Sequence, residues 1–275
     1  DQRGQPRPLD GDGNATAICD IGALETMAAA PVTNTPTASA TPSATASATV
    51  TPTATATATN GPTSTATASA TPSSTAPSTG GPITVTTLTD DLATNGNCSL
   101  REAVRAANLN TPVDACPAGR ATASDTIILP AGVYTLTRAG ADDSALLGDL
   151  DLTGDLTVTG AGATGTIVDG NALDRVYHIL NGTVQLNSLT IRNGNSGASS
   201  GGGLRQNSGS LTLSDVAVQN NVTGNDGGGL YLGGGTATLN RGLFSGNFAG
   251  DEGGAISTNG ATVTLRLTNS TLSGN

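Results

Sequence analysis

The sequence has no lysine and no tryptophan, and only three tyrosines, two phenylalanines, one histidine and one methionine among its 275 residues. Without lysine, eleven arginines face 21 acidic residues, and the net charge is −10. So acidic a chain, with no basic cluster, does not collect phosphate backbones, and nucleic acid is excluded as an expected partner. No apolar run approaches the ~20 residues of a membrane-spanning helix, so no transmembrane segment is expected. The three cysteines have the wrong spacing for zinc and His178 is the lone histidine, so these residue types imply no metal centre.

Charge is missing altogether between Glu25 and Asp90. Within that stretch, residues 31–82 hold 17 Thr, 12 Ala, 8 Ser and 8 Pro, with only 7 other residues. Such a segment has too little apolar surface to offset the entropy of ordering it. The expected organisation is therefore an N-terminal piece at 1–30, a disordered Thr/Ala/Ser/Pro stalk at 31–82 and one folded domain at 83–275.

Cys19, Cys98 and Cys116 make an odd count. Cys98 and Cys116 flank a short segment, and a bridge between them would stabilise the fold by about 3 kcal/mol in the chain-entropy picture. The alternative is a pair of reduced thiols in a cytosolic protein; a mucin-like stalk next to them favours an exported chain and the bridge. Cys19 has no obvious partner.

What the sequence does contain is repetition. Gly201-Gly202-Gly203-Leu204 recurs as Gly227-Gly228-Gly229-Leu230 and as Gly253-Gly254-Ala255-Ile256, each step being 26 residues. Alternating strands lie between these marks: Val184 and Leu186, Leu211 and Leu213, Ala237 and Leu239, then Val263 and Leu265. A second set runs Leu189 and Ile191, Val216 and Val218, Phe244, Leu272, with Asn221, Asn247 and Asn275 three residues after its last members. The final turn carries two extra residues before Leu272. A repeat of this length, with several short strands and glycine corners, predicts an all-β parallel solenoid whose turns stack at about 4.8 Å and bury columns of Leu, Val and Ile. The three asparagines are candidates for a hydrogen-bonded ladder inside the turns.

One helix is expected, over Ser99–Asn108. Ser99 and Glu102 form a capping box, and Leu100, Val104 and Ala107 share a face. Placed before the first coil, it would cover the unpaired strand edges at that end. Arg101, Glu102 and Arg105 suggest solvation and local pairing only.

Cys98-Ser-Leu-Arg-Glu-Ala103 resembles the motif of CSLREA-domain proteins, large secreted bacterial proteins held to be right-handed parallel β-helices of the pectin-lyase-like kind. The likeness extends from about Ile83 to Ala139. Phe244-Ser-Gly-Asn247 and Gly253-Gly-Ala-Ile256 are similar to the FxxN and GGAI repeats of chlamydial polymorphic outer-membrane proteins, which implies adhesion. Asp1–Pro8 and Cys19–Glu25 look like the closing segment of choice-of-anchor Q domains. The order of these pieces implies two β-helix domains in tandem in a longer protein, the second incomplete at its C-terminus.

Catalytic candidates are sparse. Asp149, Asp151 and Asp155 alternate through a strand and turn and read as outward, solvated groups; Asp169 lies close to Asp174 and Arg175. His178 falls between the inward Tyr177 and Ile179, which makes it a surface histidine with no acid beside it. Asp10, Asp12 and Asn14 alternate like the start of a calcium loop, but Ile21 stands where the bidentate Glu belongs. Calcium there is the only cofactor suggested, against a plain polar turn. Thr212, Thr238 and Thr264, with Ser210, Thr236 and Thr262 two residues earlier, suggest an outward hydroxyl array able to bind ice or a glycan, or simple β-propensity. The expected function is a non-catalytic, extracellular or cell-surface adhesion module with a host, cell-surface or glycan ligand. A polysaccharide lyase or hydrolase is the alternative.

Overall fold

The computed structural model describes residues 80–260 and 262–275. The N-terminal piece, most of the stalk, Cys19 and the calcium candidates Asp10, Asp12 and Asn14 lie outside the described residues. Those described form a parallel β-solenoid of about five turns with one helix.

Three sheets run the length of the solenoid, and every strand pairs in parallel with the strands one turn away. The first face has seven strands, from Ile83–Thr84 through Asp125–Leu129 to Thr264–Thr268. The second has six, from Gly132–Thr135 to Thr271–Ser273, and the third has five, from Leu150–Leu152 to Ile256–Thr258. Alternation along the strands builds the core: Leu156, Val184, Leu211, Ala237 and Leu265 stand in register on the first face, Ile191, Val218, Phe244 and Leu272 on the second. Nearly all of these side chains are buried, and each inner column continues through its neighbours above and below.

The corners follow from backbone chemistry. Ser188, Asp215, Arg241 and Asn269 occupy the same bend of successive turns with φ between 51° and 56°. This left-handed conformation is costly for most side chains, and Asp and Asn tolerate it best. Arg241 at this bend makes a two-pronged pairing with Asp215 one turn back, both contacts at 2.6 Å. The glycine triplets serve close stacking: a Cβ on Gly202 would lie 2.6 Å from Gly228 O, and one on Gly228 would lie 2.5 Å from Gly254 O.

The last turn corrects one expectation. Ala237 and Leu239 face Leu265 and Leu267, not Val263 and Leu265. Thr238 consequently lies beside Arg266, and Thr264 beside Thr236. Both extra residues fall between Thr258 and Thr264, before the strand rather than after it. The Thr212–Thr238–Thr264 array is therefore broken by an arginine, and the flat hydroxyl surface proposed for ice or glycan loses its third rung.

The helix spans Leu100–Leu109 and packs on the strands Leu150–Leu152 and Asp125–Leu129. Ser99 Oγ accepts from Glu102 N at 3.1 Å and the Glu102 carboxylate accepts from Ser99 N at 2.9 Å, a complete capping box. Cys98 and Cys116 are joined as a disulfide, Cα atoms 4.8 Å apart. The helix also closes the third face. Asn108 Nδ2 donates to Asp151 O at 2.7 Å, and its Oδ1 accepts from Thr153 N at 3.2 Å, so the edge strand there is hydrogen-bonded by a side chain. Arg101, expected to be solvated, is fully buried. It pairs with Asp90 at 2.6 Å and donates to the carbonyls of Ala145, Gly148 and Asp149.

Burial raises the Glu102 carboxyl, more than the Ser99 hydrogen bonds lower it. A folded value above the unfolded one gives stability that is complete at low pH and is lost as pH rises through the folded value. Glu102→Gln keeps the acceptor for Ser99 N without the ionisation. Thermal melts should show wild type losing stability relative to Glu102→Gln as pH climbs from 4 to 7; parallel profiles would refute this.

Candidate functional site

The outward side chains of the third face form a single column. Asp151 is in register with His178, His178 with Arg205, Arg205 with Tyr231 and Tyr231 with Ser257. Parallel pairing holds these groups about 4.8 Å apart along the solenoid. The second face carries a varied column of its own, Thr135, Asp169, Arg192, Gln219, Ser245 and Ser273. The third-face column's spacing of 27, 27, 26 and 26 residues was present in the sequence and is the signal that would have exposed it.

The loop Arg138–Gly148 folds back over the first two members. Three arginines fix it: Arg138 Nε donates to Leu146 O at 2.9 Å, Arg105 to Ser144 O at 2.7 Å, and Arg101 to Ala145 and Gly148. Asp142 organises its tip. Burial by itself would raise this carboxyl, but bonds from the Ser144, Leu146 and Leu147 amides and the Ser144 hydroxyl hold it below the usual range.

Under this loop the expected outward solvation fails. Asp151 is 0% exposed, Asp149 3% and His178 7%. Asp151 Oδ2 accepts from Ala145 N at 2.8 Å, while Oδ1 lies 3.2 Å from His178 Nδ1 and accepts no hydrogen bond. Asp143 Oδ1 approaches the same nitrogen at 3.5 Å, so the histidine has two acids beside it. Alternation placed these side chains outside the solenoid interior correctly; the loop then removed them from water.

Next to this group, Arg175 Nε is 2.7 Å from Asp149 Oδ2 and 3.7 Å from Asp174 Oδ1. Burial pushes the Asp149 carboxyl up to about 8 against the pull of Arg175, with Asp151, Asp174 and Asp143 adding to the rise. Arg175 Nη1 and His178 Nε2 are buried without hydrogen-bond partners. Arg205 and Asn207 complete a cleft of about 430 Å³, Arg205 Nε donating to Asn207 Oδ1 at 2.9 Å and its guanidinium lying 5.7 Å from the Tyr231 ring.

Other sequence candidates lie apart from this cleft. Asp155 accepts from Thr183 N at 2.7 Å, and Asp169 holds Arg192 at 2.8 Å and Asn193 at 2.9 Å. Asn221, Asn247 and Asn275 form a ladder inside the turns, Nδ2 of each donating to Oδ1 of the next at 2.9 and 2.7 Å. That role is structural. Among the described residues no helix is long and apolar enough to cross a membrane. No protein-family model, curated protein or solved structure matches the chain.

Proposed function

We propose that the chain is a non-catalytic structural and adhesion module of an extracellular or cell-surface protein, and that the cleft on the third face takes a glycan. The observation that carries this reading is the cleft in which His178 and Arg205 of the polar column stand beside Asp149, Arg175 and Asn207. Sugar hydroxyls both donate and accept. A cleft that sets carboxylates, which only accept, beside guanidinium groups, which only donate, offers both halves of such a contact. The Cys98–Cys116 bridge supports an oxidising compartment.

A hydrolase or lyase would need acids that reach the substrate. Asp149 reaches the cleft but is 3% exposed and paired with Arg175 at 2.7 Å, Asp151 is buried beneath the Arg138–Gly148 loop, and Asp143 stands against His178. Binding is therefore the reading preferred to cleavage.

A glycan array should show selective binding by the wild-type chain. On the best glycan, Arg205→Ala and Asn207→Ala should each weaken affinity at least about tenfold, near 1.4 kcal/mol. Variants with unchanged affinity would remove the cleft from the proposal. New reducing ends or unsaturated products from the bound glycan would replace adhesion with catalysis.

A further inference from the structure

We propose that Asp143, Asp151 and His178 form a divalent-metal site of the zinc class, which pins the Arg138–Gly148 loop to the third face. The site shares Asp143 and His178 with the cleft read as glycan-binding, but metal titration and the glycan array succeed or fail separately. One ligand atom from each of these residues lies within 4.8 Å of the other two. The nitrogen–oxygen separations are 3.2 Å to Asp151 and 3.5 Å to Asp143. A tetrahedral ion with bonds of about 2.0–2.1 Å places neighbouring ligand atoms roughly 3.3–3.4 Å apart, which these separations bracket.

The independent indication is Asp151 Oδ1. This carboxylate oxygen is fully buried and accepts no hydrogen bond, although His178 Nδ1 is 3.2 Å away. A buried acceptor left unpaired is costly, and an imidazolium donating in line to it would have removed the cost. A cation at this point would be met by Asp151 Oδ1, Asp143 Oδ1 and the His178 Nδ1 lone pair together. The protein positions the carboxylate side of the site: Oδ2 of Asp151 is held by Ala145 N, and the backbone segment carrying Asp143 is held by Asp142 and by Arg105, while His178 Nε2 has no protein partner.

The donor set also selects the ion. Calcium and magnesium prefer all-oxygen shells, calcium with about 6–8 ligands, whereas an imidazole with two carboxylates suits zinc and its neighbours. Cysteine and histidine spacing could not reveal such a site, since two of its three ligands are aspartates. Asp143 is exposed, so a fourth position remains open to water or to an exogenous group.

The test uses the whole chain with Cys19→Ser, stripped with a chelator and titrated with Zn²⁺ by calorimetry. Co²⁺ replaces zinc in a parallel visible spectrum. One equivalent should bind, with the intense d–d bands of a tetrahedral ion. Asp151→Asn and His178→Gln should each weaken binding by ~100-fold or more, at or beyond the upper range for losing a supporting residue. Because Asp151 is buried, Asp143→Asn provides the variant whose fold is safe, and it should lose at least about tenfold, the lower end of that range. Asp10→Asn/Asp12→Asn should bind as wild type does. Absence of saturable binding, affinity unchanged in Asp143→Asn and His178→Gln, or displacement of zinc by equimolar Ca²⁺ would each overturn the proposal.

Discussion

Arg101→Met should lower the unfolding free energy by about 3–5 kcal/mol, the loss expected when one partner of a buried ion pair is removed. Arg101 is 0% exposed and the Asp90 side chain 4%, so little water is available to either charge. The Asp90 carboxylate would keep bonds from Thr137 N at 2.7 Å and Arg138 N at 3.3 Å but lose its counter-ion. The carbonyls of Ala145, Gly148 and Asp149 would lose a donor at the same time. Arg101→Lys keeps the charge but not the fork of donors, and should fall between wild type and Met. In the double variant Asp90→Asn/Arg101→Met, part of the loss should return, because no lone buried charge remains. Urea denaturation followed by circular dichroism reads all four proteins. A single-variant loss under about 1 kcal/mol would place Arg101 among ordinary surface arginines.

This arginine shows where the sequence stops being legible. Its helix could be read from Ser99, Glu102 and the apolar face, because those cues act within one or two turns of chain. The 26-residue marks and the columns ending at Phe244 and Leu272 were legible for a related reason: parallel stacking makes each turn repeat its neighbour's pattern. What Arg101 does depends on residues 145–149, brought to it by tertiary folding, and no local spacing encodes that. The same applies to the third face. Alternation correctly put Asp151 and His178 on the outside, but the Arg138–Gly148 loop decides whether outside means solvated. The final turn failed differently. Val263, Leu265 and Leu267 all alternate, so the apolar pattern fits two registers, and only the position of the extra residues before Thr264 chooses between them.

Asn247→Ala should cost about 2–4 kcal/mol, since it leaves several buried polar groups without partners at about 1–3 kcal/mol each. Asn247 is 2% exposed and serves the turns on both sides. Its Oδ1 accepts from Asn221 N at 3.1 Å and Asn221 Nδ2 at 2.9 Å; its Nδ2 donates to Val218 O at 2.9 Å and Asn275 Oδ1 at 2.7 Å. The direction of the ladder is fixed, because each Nδ2 also meets a backbone carbonyl, which can only accept. That polarity separates the amide from its closest isostere. Asn247→Asp retains the acceptor toward Asn221 but turns a second oxygen toward Val218 O and Asn275 Oδ1, with a charge in a site that excludes water. It should therefore be less stable than Asn247→Ala at pH 7 and recover at pH 4, where the carboxyl takes up a proton and can donate once more. Asn275→Ala, at the more exposed last rung, should cost less than either. Thermal melts at the two pH values distinguish these outcomes. Equal stability of Asn247→Asp and Asn247→Ala at both would mean that the ladder is held by shape alone, with no contribution from its directed hydrogen bonds.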